Sequence, residues 1–138
     1  MKTEKIINII AIILIAVSLL MVDRPLATAI ISHDGFRHFT KEGIASYYSY
    51  ECASLPMANG SPFDPEKRTC ASWFYEFGTI LIVRSLETGL VTEVVVTDRG
   101  PNKRLVKEGR IIDLSKKAFQ DICNPEKGLT RVAIAVKK

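Results

Sequence analysis

Two apolar runs, TILIVRSL at 79–86 and LVTEVVVT at 90–97, constrain the fold of this chain more than any other stretch. Both are rich in β-branched residues, whose stiff side chains suit an extended backbone. Only Glu87-Thr88-Gly89 separates them, and so short a link ending in glycine predicts an antiparallel hairpin. The second run enters Asp98-Arg99-Gly100-Pro101. Proline has no N–H to give to a ladder, so the strand stops there. A carboxylate and a guanidinium are thereby fixed at its mouth. Asp98 can close the turn by accepting backbone N–H groups, or it can be held out for chemistry.

The remaining segments also read as β structure. GIASYYSY at 43–50 suggests a first strand, RIIDL at 110–114 a short one, and TRVAIAV at 130–136 a last one. Between them lies a Pro-, Asn- and Gly-rich loop with turn chemistry at Asn59-Gly60. Ser115 is placed to cap a helix over 116–123, with Ala118, Phe119, Ile122 and Cys123 on its apolar face. Tyr47, Tyr48 and Trp73 are expected in the core or at its rim. Five or six short strands and one or two short helices in about 95 residues predict a mainly β domain closed into a barrel, which hides its edges.

Residues 6–22 carry no charge, follow Lys2 and Lys5, and precede Ala27-Thr28-Ala29. That is the layout of a secretory signal peptide, or of an uncleaved anchor that would tether the chain to a membrane through 6–22. No cysteine closely follows the apolar run, so a lipid anchor is not expected. The chain therefore divides into a signal or anchor at 1–29, a linker at 30–41 and a barrel at 42–138. Its expected location is outside the cytoplasm, in the periplasm, cell envelope or medium.

Charge and cysteine content narrow the chemistry. The full chain carries a net charge of +4. Without 1–29, 16 basic residues face 13 acidic ones, leaving +3. Arg99, Lys103, Arg104, Lys107 and Arg110 crowd one segment. They read either as a solvated face or as a surface for an anionic wall polymer. Nucleic acid is a poor partner for an exported chain, and the segment has no interleaved aromatics for base stacking. Cys52, Cys70 and Cys123 allow one disulfide in three pairings. No Cys-x-x-Cys pair marks a zinc site. His33 and His38 both precede the barrel, so a Cys-His or Ser-His nucleophile is not expected.

GIASYYS, MANGSPFD, FGTILIV, VVVTDRGP and GRIIDLS occur in this order. Together they resemble the rare lipoprotein A (RlpA-like) family over about residues 42–137. The resemblance implies a six-stranded double-psi β-barrel and a lytic transglycosylase acting on peptidoglycan glycan strands, without cofactor or metal. Such an enzyme uses the sugar's own 6-hydroxyl in place of water, so one carboxyl can act as acid and then base. Asp98 stands at the position of the family's proposed catalytic aspartate. Tyr48, Asn59, Ser61 and Ser72 are the expected substrate-binding residues. Arg99 and Asp113 are expected to form a structural ion pair, leaving Asp98 free. Glu51 or Asp64 could add a second carboxylate. Two positions depart from the family pattern: Ser61 stands for its usual glutamate and Ser72 for its usual histidine. They favour the alternative of a non-catalytic, expansin-like polysaccharide-binding module. A protease-inhibitor or toxin-like exported barrel is a second rival, on small size and cysteines.

Overall fold

The computed structural model describes residues 38–138. The expected signal or anchor and most of the linker, with His33, lie outside the described residues. Six strands form a closed barrel: β1 (Lys41–Tyr47), β2 (Thr69–Ala71), β3 (Ile80–Ser85), β4 (Val91–Asp98), β5 (Arg110–Leu114) and β6 (Thr130–Val136). Their order around the barrel is β1-β5-β2-β4-β3-β6. The β1/β5 and β2/β4 neighbours are parallel, and the other pairs are antiparallel. The expected mainly β, six-stranded barrel is the observed architecture.

The β3–β4 hairpin forms as its sequence predicts, with Ile80 opposite Val95 and Arg84 opposite Val91. Gly89 takes φ +75° at the turn, a left-handed conformation that costs glycine little. Along β4, Thr92, Val94 and Val96 turn inward, the period-two alternation of a strand with one buried face. Val94 and Val96 meet Leu81, Val83, Ile112, Leu114, Val132 and Ile134 in one core. Helix α2 (Lys116–Ile122) starts where Ser115 Oγ accepts the Ala118 N–H at 3.3 Å. It drives Ala118, Phe119 and Ile122 into that core. Phe119 is fully buried against Tyr47, ring centroids 4.8 Å apart. Truncating such a side chain to alanine costs about 3–5 kcal/mol.

Two elements were not foreseen. Strand β2 has only three residues and pairs on both sides with strands distant in sequence. A five-residue helix, α1 (Lys103–Lys107), occupies the basic segment, with Asn102 Oδ1 accepting the Arg104 N–H at 3.0 Å. The cysteines also differ from expectation. Cys52, Cys70 and Cys123 are all free thiols, and Cys70 and Cys123 belong to the apolar core. They pack as small apolar side chains, and burial pushes the Cys70 thiol far above its ordinary value.

Candidate active site

Strand β2 brings the two aspartates together. Ala71 is in register with Asp98 of β4 on one side and with Asp113 of β5 on the other. Asp113 is in turn in register with Ser46 of β1. Register partners project from the same face of a sheet, which puts Ser46, Asp113 and Ala71 in one row. The register shifts between Cys70 and Ala71 along β4, and the Tyr48 hydroxyl, near Gly100 and bonded to Asp98 Oδ2, brings Asp98 to the end of that row. Ala71, between the two aspartates, is 0% exposed. Gly100 closes in from the turn: a Cβ there would lie 3.1 Å from Ala71 Cβ, 3.3 Å from Asp113 Oδ2 and 3.6 Å from the Tyr48 hydroxyl.

Asp98 is half-buried and held by three donors. Its Oδ1 accepts the N–H groups of Ala58 and Arg99, each at 2.8 Å. Its Oδ2 accepts the Tyr48 hydroxyl at 2.9 Å. The Asn59-Gly60 turn delivers Ala58. Asn59 N–H donates to Thr97 O at 3.2 Å, and Gly60 takes φ +87°. Tyr48 is placed by its own N–H on Leu114 O at 3.0 Å and by its ring against Phe63. Burial, then the bond to Asp98, pushes the Tyr48 phenol far above its ordinary value, so it stays a donor.

Asp113 differs from Asp98 in its surroundings. Ser46 Oγ donates to its Oδ1. Burial raises its carboxyl above the usual aspartate value, and the charge of Asp98 adds to the rise, while Ser46 and Arg110 oppose it. The second carboxyl at the site is therefore Asp113. Asp64 instead accepts the Glu66 N–H in its own loop, and Glu51 is exposed in the 3-10 turn Tyr50–Cys52.

The expected Arg99–Asp113 ion pair does not form. Arg99 turns the other way, and its Nη1 donates to Ser72 O at 2.8 Å and Tyr75 O at 2.9 Å. Its guanidinium also lies 3.8 Å from the centre of the Phe77 ring. Two carbonyls and a ring face suit a planar fork of donors, and they tie the 72–77 loop to the end of β4. Ser72 is likewise corrected. It is 0% exposed, gives its N–H to Asp98 O at 3.1 Å, and its Oγ accepts the Phe74 N–H. It builds the site from behind and presents nothing to a glycan. Ser61 is half-buried and bonded to Asn59 Oδ1 through both its N–H and its hydroxyl, at 3.0 and 2.7 Å. Asn59 is exposed and in the turn. Of the four expected binding residues, Tyr48 alone touches Asp98 with its side chain.

Two parallel strand pairs in a closed six-stranded barrel, with paired carboxyl groups where three strands meet, define a double-psi β-barrel with an acidic site. The family model described as lytic transglycolase matches residues 40–134, and the chain belongs to that family. A probable endolytic peptidoglycan transglycosylase RlpA of Nostoc is 37% identical over 97 residues, covering 69% of this chain and 25% of that protein. The endolytic peptidoglycan transglycosylase RlpA of Helicobacter pylori is 32% identical over 95 residues, covering 69% and 29%. The chain thus spans between a quarter and a third of the length of these relatives. An uncharacterized protein of Synechocystis is 33% identical over 90 residues, covering 65% of this chain and 91% of its own. Among solved structures, a Clavibacter michiganensis expansin in complex with cellohexaose has a TM-score of 0.54 at 20% identity, covering 70% of this chain and 50% of that one. The Streptomyces papain inhibitor has a TM-score of 0.55 at 20% identity, covering 72% and 97%. These two likenesses concern the fold.

Proposed function

We propose that this domain binds a peptidoglycan glycan strand over the Asp98–Asp113 row and cleaves it as a lytic transglycosylase. Asp98 gives its proton to the glycosidic oxygen as the bond from C1 of the muramyl sugar breaks. The 6-hydroxyl of the same sugar then bonds to C1, and Asp98 takes the hydroxyl proton back. No water is consumed, and a 1,6-anhydromuramoyl end results. The observation that carries the reading is Asp98 itself, half-exposed and fixed by three donors, in a family whose relatives include endolytic peptidoglycan transglycosylases. Such fixation holds a reacting group in place without reorganisation. We place the domain in the cell envelope or outside the cell, behind a signal or anchor at 1–29 that would tether it through 6–22, and in cell-wall remodelling.

A second reading, a non-catalytic polysaccharide-binding module, is favoured by one observation. Ser72 is buried and Ser61 is committed to Asn59, so neither supplies an ionisable group where the family pattern has one. The expansin with a related fold was crystallised with cellohexaose, in keeping with a polysaccharide-binding role. Incubation of the purified protein with peptidoglycan separates the two. Soluble fragments with anhydro ends, one water lighter than hydrolytic ends by mass spectrometry, support cleavage. Co-sedimentation without such fragments supports the binding module.

A further inference from the structure

The loop behind Asp98 carries a feature that the chemistry above does not use. Trp73, Phe74 and Phe77 are exposed by 45%, 42% and 42% within five residues of chain. Each has a cation at its ring: Lys103 Nζ 5.3 Å from the Trp73 ring, Lys41 Nζ 3.7 Å from Phe74 and the Arg99 guanidinium 3.8 Å from Phe77. Trp73 is also locked. Its Nε1 donates to Pro101 O at 2.6 Å, in the turn that follows Asp98, and the neighbouring Ser72 N–H is bonded to Asp98 O. A ring pinned by its N–H edge and still 45% exposed is a rigid stacking platform, with little side-chain entropy left to lose on binding.

Lys103 makes no ion pair among the described residues, in contrast to Arg68, Lys127 and Lys137, which pair with Asp121, Glu87 and Glu93. We infer that Trp73 and Lys103 form a subsite for a sugar ring bearing a carboxylate, the ring stacked on the indole and the carboxylate on the ammonium. This rests on the reading that a glycan strand crosses the Asp98–Asp113 row, and it names the residue of that strand. A muramyl sugar carries such a carboxylate either on its lactyl ether or through its stem peptide, whereas neutral β-1,4 glucans and chitin carry none. The pair of residues therefore selects wall glycan over neutral polysaccharide.

The test uses the 138-residue chain, in which Trp73 is the single tryptophan, so its fluorescence reports on the subsite directly. Four probes are titrated: peptide-free glycan strands, peptide-bearing strands, chitohexaose and cellohexaose. At least one carboxylated strand is expected to change Trp73 emission at a Kd about tenfold below either neutral oligomer, an advantage lost at high salt. Whichever carboxylated strand binds more tightly identifies the source of the carboxylate. Lys103→Gln, on an exposed side chain, should erase that tenfold preference and leave neutral binding unchanged. Equal affinities for all four probes, or a Lys103→Gln protein that keeps the preference, overturns the subsite. Release of anhydro-ended fragments by a wild-type protein that binds all four probes equally would remove the subsite and leave the transglycosylase reading standing. Conversely, selective binding without anhydro products would retain the subsite and remove the cleavage.

Discussion

Asp98 and Asp113 lie in register with the same residue, Ala71, from opposite sides of strand β2. Strands are about 4.8 Å apart, so the two backbones stand about 10 Å apart. The pairing gives one aspartate a set of three donors and leaves the other in a drier setting.

The first consequence concerns pH. Asp113 has its carboxyl raised above the ordinary 3.8, with burial the leading cause. The folded chain therefore keeps this proton where the unfolded chain has released it. The stability that Asp113 contributes is complete below about pH 4 and is lost as pH rises through the folded value. Asp113→Asn is neutral throughout and lacks this slope. Its Tm should gain on wild type as the buffer moves from about pH 4 to about pH 7. Parallel Tm curves for the two proteins would show that Asp113 does not titrate in this way.

Arg99 supplies the second prediction. With its guanidinium on Ser72 O, Tyr75 O and the Phe77 ring, Arg99→Lys keeps the charge and loses the fork. A loss of about 1.5–3 kcal/mol is expected in urea unfolding. Combined with Asp113→Asn, the two effects should add within about 0.5 kcal/mol, since the side chains do not pair. A coupling above about 1 kcal/mol would restore the ion pair that the structure replaces.

How much of this was legible varies with the kind of interaction. The hairpin, β5 and α2 follow from β-branched runs, a glycine turn and a serine cap, all local signals. Strand β2 is TCA, too short to show any period, and it exists because β4 and β5 pair with it from either side. Asp98 was legible because proline and glycine fix the end of its strand. Arg99's partners were not, because backbone carbonyls leave no mark in a sequence, and charge complementarity pointed to Asp113 instead. Ser72 lies in a loop whose burial depends on Arg99 and on β2. The aromatic strip was in view as letters, but its cations come from residues 41, 99 and 103, which only the barrel brings together.

Tyr48 is expected to act through Asp98. Tyr48→Phe keeps the ring on Phe63 and removes the donor to Oδ2. Stability should fall by about 0.5–1.5 kcal/mol, and glycan cleavage should fall with it. Unchanged stability and cleavage would mean that the hydroxyl contributes nothing to holding Asp98.

The thiols give a fourth check. With Cys52, Cys70 and Cys123 all free, the unfolded chain should react with three equivalents of a thiol reagent, and reductant should leave the Tm unchanged. One equivalent, or a Tm that drops on reduction, would reveal a disulfide.

The most direct measurement compares Asp98→Asn with wild type on peptidoglycan. Asparagine retains an Oδ1 for the Ala58 and Arg99 N–H groups and offers an amide that can donate to the Tyr48 oxygen. The variant should therefore fold, with strand binding close to wild type. It has no carboxyl proton to transfer, so the release of anhydro-ended fragments should fall by about 10²–10⁴-fold. A folded Asp98→Asn protein that releases those fragments at the wild-type rate would contradict the role given to Asp98.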